Sequence, residues 1–352
     1  MATARECLES PEYLAYKFDF HTESLEFLPI TPGEIRQVSS LSREFLGPDR
    51  PAIQVPLAEV MPLLESADNT LEKNPPRFIF HTAFCSSTFL SRCLDVEGVS
   101  IGLREPQLLL DAANARRLQW RSKTTGLNHE DLPKLALILL HKHAGQSEKL
   151  VIKPINSVNN IVSDLLKITG AAKSLMLYTD ARNFLFSTLK KGEESKYAVR
   201  AMFDLIRCDF PHLANLRLSD ALHMTDIKVI LTLWRLQIEQ AEQALQQSSA
   251  NNRMASVYGE RLIDEPLETL QAANRFLELG IPEQKISEIA NSDRRTSDAK
   301  NEGQTFSAGQ RREAYDKVES YHGTELDRAL NWLFRNNPGT RLRPRMSGAL
   351  GD

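Results

Sequence analysis

Between Arg77 and Leu94 the chain reads Arg-Phe-Ile-Phe-His-Thr-Ala-Phe-Cys-Ser-Ser-Thr-Phe-Leu-Ser-Arg-Cys-Leu. An apolar strand that runs through a turn into a helix opening on Ser86, Ser87 and Thr88 collects hydroxyl donors, free backbone N–H groups and the positive end of a helix dipole at one spot. That combination holds a phosphate or a sulfate. Ser86 or Ser87 serves equally well as an ordinary helix cap, so the segment by itself leaves both readings open. It is not a Walker A loop, because no glycine lies between Phe80 and Glu97 and no lysine precedes the Ser/Thr pair.

Transfer of a phosphoryl or sulfuryl group needs cations around the moving group and a base for the acceptor's proton. Glu105, in Arg104-Glu105-Pro106, is the candidate base, with a salt bridge to Arg104 as its alternative role. His81, the last residue of the strand before the loop, is the second candidate, or else a half-buried residue that fixes the loop. Lys153 and Arg182 are candidate cations, and Arg92 lies one turn into the loop helix. His141 and His143 flank Lys142 near a helix end, where positive charge suits the dipole. No third ligand is spaced to join the two histidines, so no metal is expected. Cys85, at a helix N-terminus, is a candidate low-pKa thiol.

The elements that must position these residues follow from periodicity. Tyr13 to Phe20 and Leu25 to Ile30 alternate in polarity and predict a hairpin. Thr31, Pro32 and Glu34 supply a cap, a first-turn proline and a capping-box acid for a helix to about Phe45. Residues 52–74 read as a proline-punctuated connection. From Pro76 onward, short apolar runs alternate with helical patterns, the signature of a mostly parallel sheet. Strands are expected at Arg77 to His81, Ser100 to Leu103, Lys149 to Ile155, Lys173 to Thr179 and Arg253 to Tyr258, with helices from Ser87, Gln107, Leu132, Asn159 and Arg182. Longer helical stretches cover Glu193 to Phe210 and Thr225 to Gln247. Ser292 to Phe306 reads as a surface loop, followed by helices at Ser307 to His322 and Thr324 to Phe334. The expected fold class is therefore α/β, a P-loop-like sheet of about five strands flanked by helices. A small α+β extension (1–75) precedes the main domain (76–336, with a helical insertion at 193–247), and a flexible tail (337–352) follows it.

Composition narrows the class. The chain has 352 residues, with 43 Lys and Arg against 46 Asp and Glu, a formal charge of −3 that argues against a nucleic-acid partner. Four scattered cysteines suit neither a disulfide framework nor a zinc site and agree with a reducing cytoplasm. Met1 to Glu12 carries Arg5, Glu6, Glu9 and Glu12 with no apolar core, so no secretory signal is expected. No run approaches the ~18 uncharged apolar residues of a membrane span. A soluble cytoplasmic protein is expected, and a homo-oligomer remains open.

Four segments, in order, resemble the sulfotransferases that use 3′-phosphoadenosine 5′-phosphosulfate. The family's strand and loop read Pro-(Lys/Arg)-Ser-Gly-Thr-Thr followed by an aromatic or leucine pair. Ala83, Phe84, Cys85, Ser86, Ser87 and Thr88 fall on those positions, and Phe89 opens the pair. Val151-Ile-Lys-Pro154 is similar to the family's Leu-Lys-x-Pro strand end. Ala172 to Ser187 resembles the strand, Arg-Asp-Pro-Arg-Asp turn and serine-bearing helix that hold the 3′-phosphate. Arg182 falls on the turn's second basic position and Ser187 on the serine, while Thr179 replaces the first arginine. Val257 to Pro266 resembles the family's Tyr-Glu-Asp-Leu-x-x-Asp-Pro segment once Gly259 is counted as an insertion, and Leu270 to Gly280 resembles the helix that follows. Ser297-Asp-Ala-Lys300 echoes a loop that closes over the cofactor.

The resemblance spans about Pro76 to Pro282. It implies sulfuryl transfer from 3′-phosphoadenosine 5′-phosphosulfate to a hydroxyl or amine of a small-molecule acceptor. Glu105, Lys153 and His81 would be the catalytic groups, and Cys85 to Phe89, Arg182, Ser187 and Lys300 would bind the cofactor. Phe84 stands where the family has its loop cation. A P-loop protein that takes ATP, GTP or a sugar phosphate, and a non-catalytic interaction module on the same fold, are the alternatives. Tyr197, Phe203 and Trp234 are expected to line an acceptor pocket or to pack the core.

Overall fold

The computed structural model describes residues 2–66, 68–145, 147–214, 216, 219–220, 223–248, 252–292, 308–337, 341, 344 and 346–350, with the backbone only for 63–66, 68–70, 214, 308–312, 314 and 322. Tyr13–Asp19 (β1) and Ser24–Pro29 (β2) form the expected antiparallel hairpin. Ile53–Pro56 (β3) adds a third strand that the prolines around it conceal in the sequence. Helices at Leu57–Ser66 and Asp68–Lys73 occupy the remainder of the expected connection.

Thr31 and Glu34 make a reciprocal capping box at the start of Pro32–Gln37 (α1), but the helix stops at Gln37 and does not reach Phe45. The reason is Arg104. Its buried guanidinium donates to the carbonyls of Ile35 (2.6 Å), Arg36 (3.0 Å) and Val38 (2.8 Å), and its backbone carbonyl accepts from the Leu41 N–H (2.8 Å). These bonds satisfy the last carbonyls of the helix and turn the chain away.

The main sheet contains Arg77–His81 (β4), Ser100–Arg104 (β5), Lys149–Lys153 (β6), Ser174–Tyr178 (β7) and Met254–Tyr258 (β8). All are parallel, in the order β5-β6-β4-β7-β8. Phe78, Phe80, Ile152 and Met176 face a core shared with Phe18 and Phe27 of the N-terminal sheet. Ile79, Val151, Leu175 and Val257 face the opposite core, with Leu90 and Leu270. Burial on both faces explains why these strands read as continuous apolar runs.

The helices that position the site are Ser87–Cys93 (α2), Gln107–Arg117 (α3), Leu132–His141 (α4), Val162–Ile168 (α5), Ala181–Lys190 (α6), Gly192–Ile206 (α7), Asp226–Ser248 (α8), Pro266–Phe276 (α9) and Ala308–Asn336 (α10). A 3-10 turn over Asn156–Ile161 precedes α5, where the sequence predicts a helix starting at Asn159. The two helices expected after Ser307 are one, since α10 runs through Gly323 without a break. Most of the expected surface loop, Lys300 included, lies outside the described residues. In the tail, the Ser256 N–H donates to the Gly348 carbonyl (2.8 Å) and the Leu350 N–H to the Ser256 carbonyl (2.9 Å). These residues are docked against β8, contrary to the expected fraying. Among the described residues no helix is long and apolar enough to cross a membrane.

The cations expected to decorate the end of α4 point inward. Lys142 Nζ donates to the Cys7 carbonyl at 2.5 Å, and burial lowers its pKa to about 7. Burial, aided by the Lys142 charge, lowers that of His143 to about 3. Between about pH 6.5, where an unfolded histidine protonates, and about pH 3, the unfolded chain binds a proton that folded His143 refuses. The stability from this group is therefore complete above pH 6.5 and is lost as the pH falls. His143→Leu is expected to flatten the acid limb of stability against pH, as read by urea unfolding from pH 7 to pH 4.

Candidate functional site

The chain leaves β4 toward β5 but leaves the adjacent strand β7 toward β8, so the carboxyl ends of β4 and β7 open a crevice of the kind in which doubly wound folds bind ligands. The loop from Thr82 to Ser86 sits there. Without glycine it still places Phe84 (φ 59°) and Ser86 (φ 62°) in the left-handed region, at a cost of about 1–2 kcal/mol for each residue. Such geometry persists only where the surroundings fix it.

Four contacts do so. The Ala83 N–H donates to Gln237 Oε1 (2.7 Å) and Cys85 Sγ donates to the Thr82 carbonyl (2.9 Å). The His81 ring lies between the Thr82 carbonyl (Nδ1, 2.7 Å) and the Pro154 carbonyl (Nε2, 3.0 Å). Gly259, just past β8, lies so close that a Cβ there would stand 2.5 Å from the Cys85 carbonyl oxygen. Only a residue without a side chain lets β8 pass the loop. Gly259 is therefore a fitted position, although a sequence alignment reads it as an insertion.

Ser86 takes the cap position of α2 but makes no side-chain bond to the helix, while Ser87 and Thr88 begin its first turn, buried. Simple capping is thus not what this geometry realises. Phe89 follows them, packed at the edge of the apolar cluster on that face of the sheet. The Cys85 thiol is enclosed, and burial pushes its pKa up to about 11 against a partial offset from Lys153. This corrects the expectation of a low-pKa thiol: the Cys85 thiol serves the loop as a donor to the Thr82 carbonyl.

Glu105 and Lys153 come together one strand over. Lys153 Nζ donates to Glu105 Oε1 at 2.5 Å, with the lysine buried and the carboxylate nearly so. Glu105 is itself left-handed (φ 56°), and its N–H donates to the Lys153 carbonyl (2.6 Å), which carries the β5–β6 pairing past the strand ends. The alternative partner, Arg104, is engaged with Asp95 at 2.8 Å. His81 stands beside this pair. Both of its ring nitrogens face carbonyl oxygens, of Thr82 and of Pro154, so the ring ties the loop to the end of β6.

The second cluster lies at the start of α6. Asp180 caps the helix through the Asn183 N–H (2.7 Å) and accepts from Tyr258 Oη (2.5 Å). Thr179 is fully buried, and its carbonyl accepts from Trp234 Nε1 (2.9 Å). Arg182 and Ser187 share α6 but face α10: Arg182 is paired with Glu319 and with Asp327 (3.4 Å), and Ser187 Oγ is 3.0 Å from Tyr315 Oη. Phe84 joins the two clusters by packing edge-on against Phe184, with ring centroids 5.2 Å apart.

One cation escapes the sequence reading. Lys191, at the end of α6, holds its ammonium 5.2 Å from the centre of the Phe84 ring. The loop thus acquires a positive charge at the position where its own chain supplies a phenylalanine, an arrangement legible only once α6 is seen to lie against the loop. Of the expected pocket aromatics, Phe203 and Trp234 are core and Tyr197 is exposed. Among the described residues no group of three or more His, Cys, Asp or Glu side chains is placed to hold a metal ion.

Gly259→Ala forces either β8 or the loop to move, and is expected to cost about 1–3 kcal/mol in urea unfolding. Gly323→Ala, whose Cβ would make only ordinary contact with the Glu319 side chain on α10 (3.7 Å), is expected to leave the midpoint unchanged or raise it slightly.

No protein-family model and no curated protein matches the chain. Among solved structures it is similar to a sulfotransferase domain from the curacin biosynthetic pathway, at 14% identity and a TM-score of 0.44 over 70% of this chain and 98% of that domain. It is similar to a sulfotransferase from Mycobacterium avium at 11% identity and a TM-score of 0.40, over 75% of this chain and 80% of that one. A retinol dehydratase, solved with retinol and PAP, is similar at 11% identity and a TM-score of 0.34 over 98% of this chain and 97% of that one.

Proposed function

We propose that the chain is a sulfuryl-transfer enzyme that uses 3′-phosphoadenosine 5′-phosphosulfate and a small-molecule hydroxyl or amine as acceptor. The observation that carries the proposal is the buried Glu105–Lys153 pair at the same sheet edge as an anion-type loop. An enclosed ion pair is weak evidence for stability, because desolvation offsets much of its attraction. Placed beside a loop built for an anion, it has a chemical use.

When bound, the donor supplies the sulfuryl group on an activated phosphate. The loop N–H groups with the Ser86, Ser87 and Thr88 hydroxyls hold and orient the anion, and the Lys191 ammonium at Phe84 adds charge where the loop chain has none. Glu105 takes the proton of the acceptor O–H or N–H as the acceptor atom bonds to sulfur and the bond from sulfur to the phosphate oxygen breaks. Lys153 keeps a counter-charge at the carboxylate throughout, so the base is held in place and not left free to swing. His81 acts indirectly, by fixing the loop.

Residues at the nucleotide end fit the cofactor on one condition. Arg182 and Ser187 are the groups for a 3′-phosphate, and α10 now engages both. The same contact favours a second reading, in which the ligand is a nucleotide without a 3′-phosphate, such as ATP or GTP, and the pair between Arg182 and Glu319 is permanent.

Calorimetry with 3′-phosphoadenosine 5′-phosphate is expected to show binding that tightens in Glu319→Gln, because the nucleotide no longer competes with a carboxylate for Arg182. No heat at millimolar nucleotide in either protein would overturn the proposal, and a melting shift with ATP alone would favour the second reading. With an active acceptor, Glu105→Gln is expected to lower kcat by about 10²–10⁴-fold while leaving nucleotide affinity within about twofold.

A further inference from the structure

The carboxy-terminal part of α10 carries cations that the described residues do not neutralise. Arg328, Trp332 and Arg335 stand at i, i+4 and i+7 on one face of the helix, and with Asn331 and Asn336 they line a hollow of about 390 Å³. That volume is within the range of small-ligand sites, about 300–1,000 Å³. Arg328 and Arg335 are exposed, and neither guanidinium has a hydrogen bond or an ion pair among the described residues. Asp327, the acid next to Arg328, turns to Arg182 instead (3.4 Å). From α8, Lys228 sets its ammonium 5.5 Å from the centre of the Trp332 ring and adds a third positive charge.

Local helix chemistry explains only part of this. The dipole accounts for Arg335 in the last turn, but Arg328 stands two turns earlier. Nor does the chain beyond supply a counter-charge. Arg341, Arg343 and Arg345 follow, and no Asp or Glu occurs between Asp327 and Asp352, in a chain whose acids outnumber its bases. Asn336 Nδ2 donates to the Trp332 carbonyl at 2.8 Å, which fixes that carboxamide and leaves its second N–H to a ligand.

The donors then select the ligand. Two guanidinium forks, an indole N–H and two carboxamides offer N–H groups from several sides, and among the described residues the lining holds no carboxylate. A flat carboxylate has two oxygens and satisfies one fork, whereas a tetrahedral oxyanion has oxygens for both. Three positive charges about Trp332 favour a doubly charged ion over a singly charged one. We propose that this hollow binds a phosphate monoester through Arg328 and Arg335, independently of the sheet-edge site. A free metabolite and a lipid headgroup present the same group.

Proton–nitrogen NMR of the indole groups on the full chain reads the site, because Trp120, Trp234 and Trp332 are its three tryptophans and Trp332→Phe assigns the third signal. Millimolar glycerol 3-phosphate is expected to shift the Trp332 signal saturably and to leave those of Trp120 and Trp234 in place. Arg328→Gln and Arg335→Gln, both at exposed positions, are each expected to weaken the affinity about tenfold. Affinity is also expected to fall below about pH 6, where the monoester takes up its second proton. Methyl sulfate and acetate at matched ionic strength are the singly charged controls. Co-sedimentation with phosphatidylcholine vesicles, with and without phosphatidic acid, tells a lipid headgroup from a free ester. A response to either form that the two arginine variants weaken supports the site. No response to either form, an equal response to the controls, or a response undiminished in both arginine variants, as binding at the Ser86–Thr88 loop would give, would each overturn the proposal.

Discussion

A parallel sheet covered by apolar layers on both faces leaves its polar side chains one place to go, the strand ends. That constraint organises this chain. Lys153, Glu105, His81, Thr179 and Asp180 all gather at the carboxyl ends of the main sheet, fixed there by bonds to neighbouring strand ends and, for Thr179, to Trp234 within α8. The candidate site is therefore continuous with the way the fold closes its own hydrogen bonds. Loop geometry, ion pair and helix cap belong to one network, and a change in one member reaches the others through backbone carbonyls as much as through side chains.

The sequence made the scaffold legible wherever local chemistry and tertiary context agree. The five strands fall where the apolar runs place them, and Thr31 with Glu34 caps α1 as the residue types require. The errors come from partners distant in the chain. Nothing near Gln37 ends α1; Arg104 does, across the interface between the two sheets. Gly323 weakens helix propensity on paper, yet α10 passes through it, because propensity is a weak prior beside packing.

The site was legible in its components and not in its pairings. Glu105, Lys153 and the hydroxyls of the loop were identifiable as residues with a chemistry. That Glu105 chooses Lys153 over the adjacent Arg104 depends on strand register, which places Arg104 and Lys153 opposite each other and frees the next residue to turn back. Lys191 was invisible for a similar reason, since more than one hundred positions separate it from Phe84. Burial reversed two expectations outright. A thiol at a helix start and cations at a helix end have their textual meaning only when solvent reaches them, and Cys85, Lys142 and His143 are enclosed.

β8 closes one side of the main sheet, and among the described residues β7 is its one strand neighbour. Bare edges of this kind are where proteins recruit one another's strands into aggregates. The bonds from Ser256 to Gly348 and Leu350 lay the chain's own last described residues along that edge, and Arg261 fastens them by donating to the Leu350 carbonyl at 3.0 Å. The carboxy-terminal segment thus lies on that edge as a strand reduced to a single bridge, adds Met346 and Leu350 to the two cores, and occupies backbone groups that another chain's strand would need.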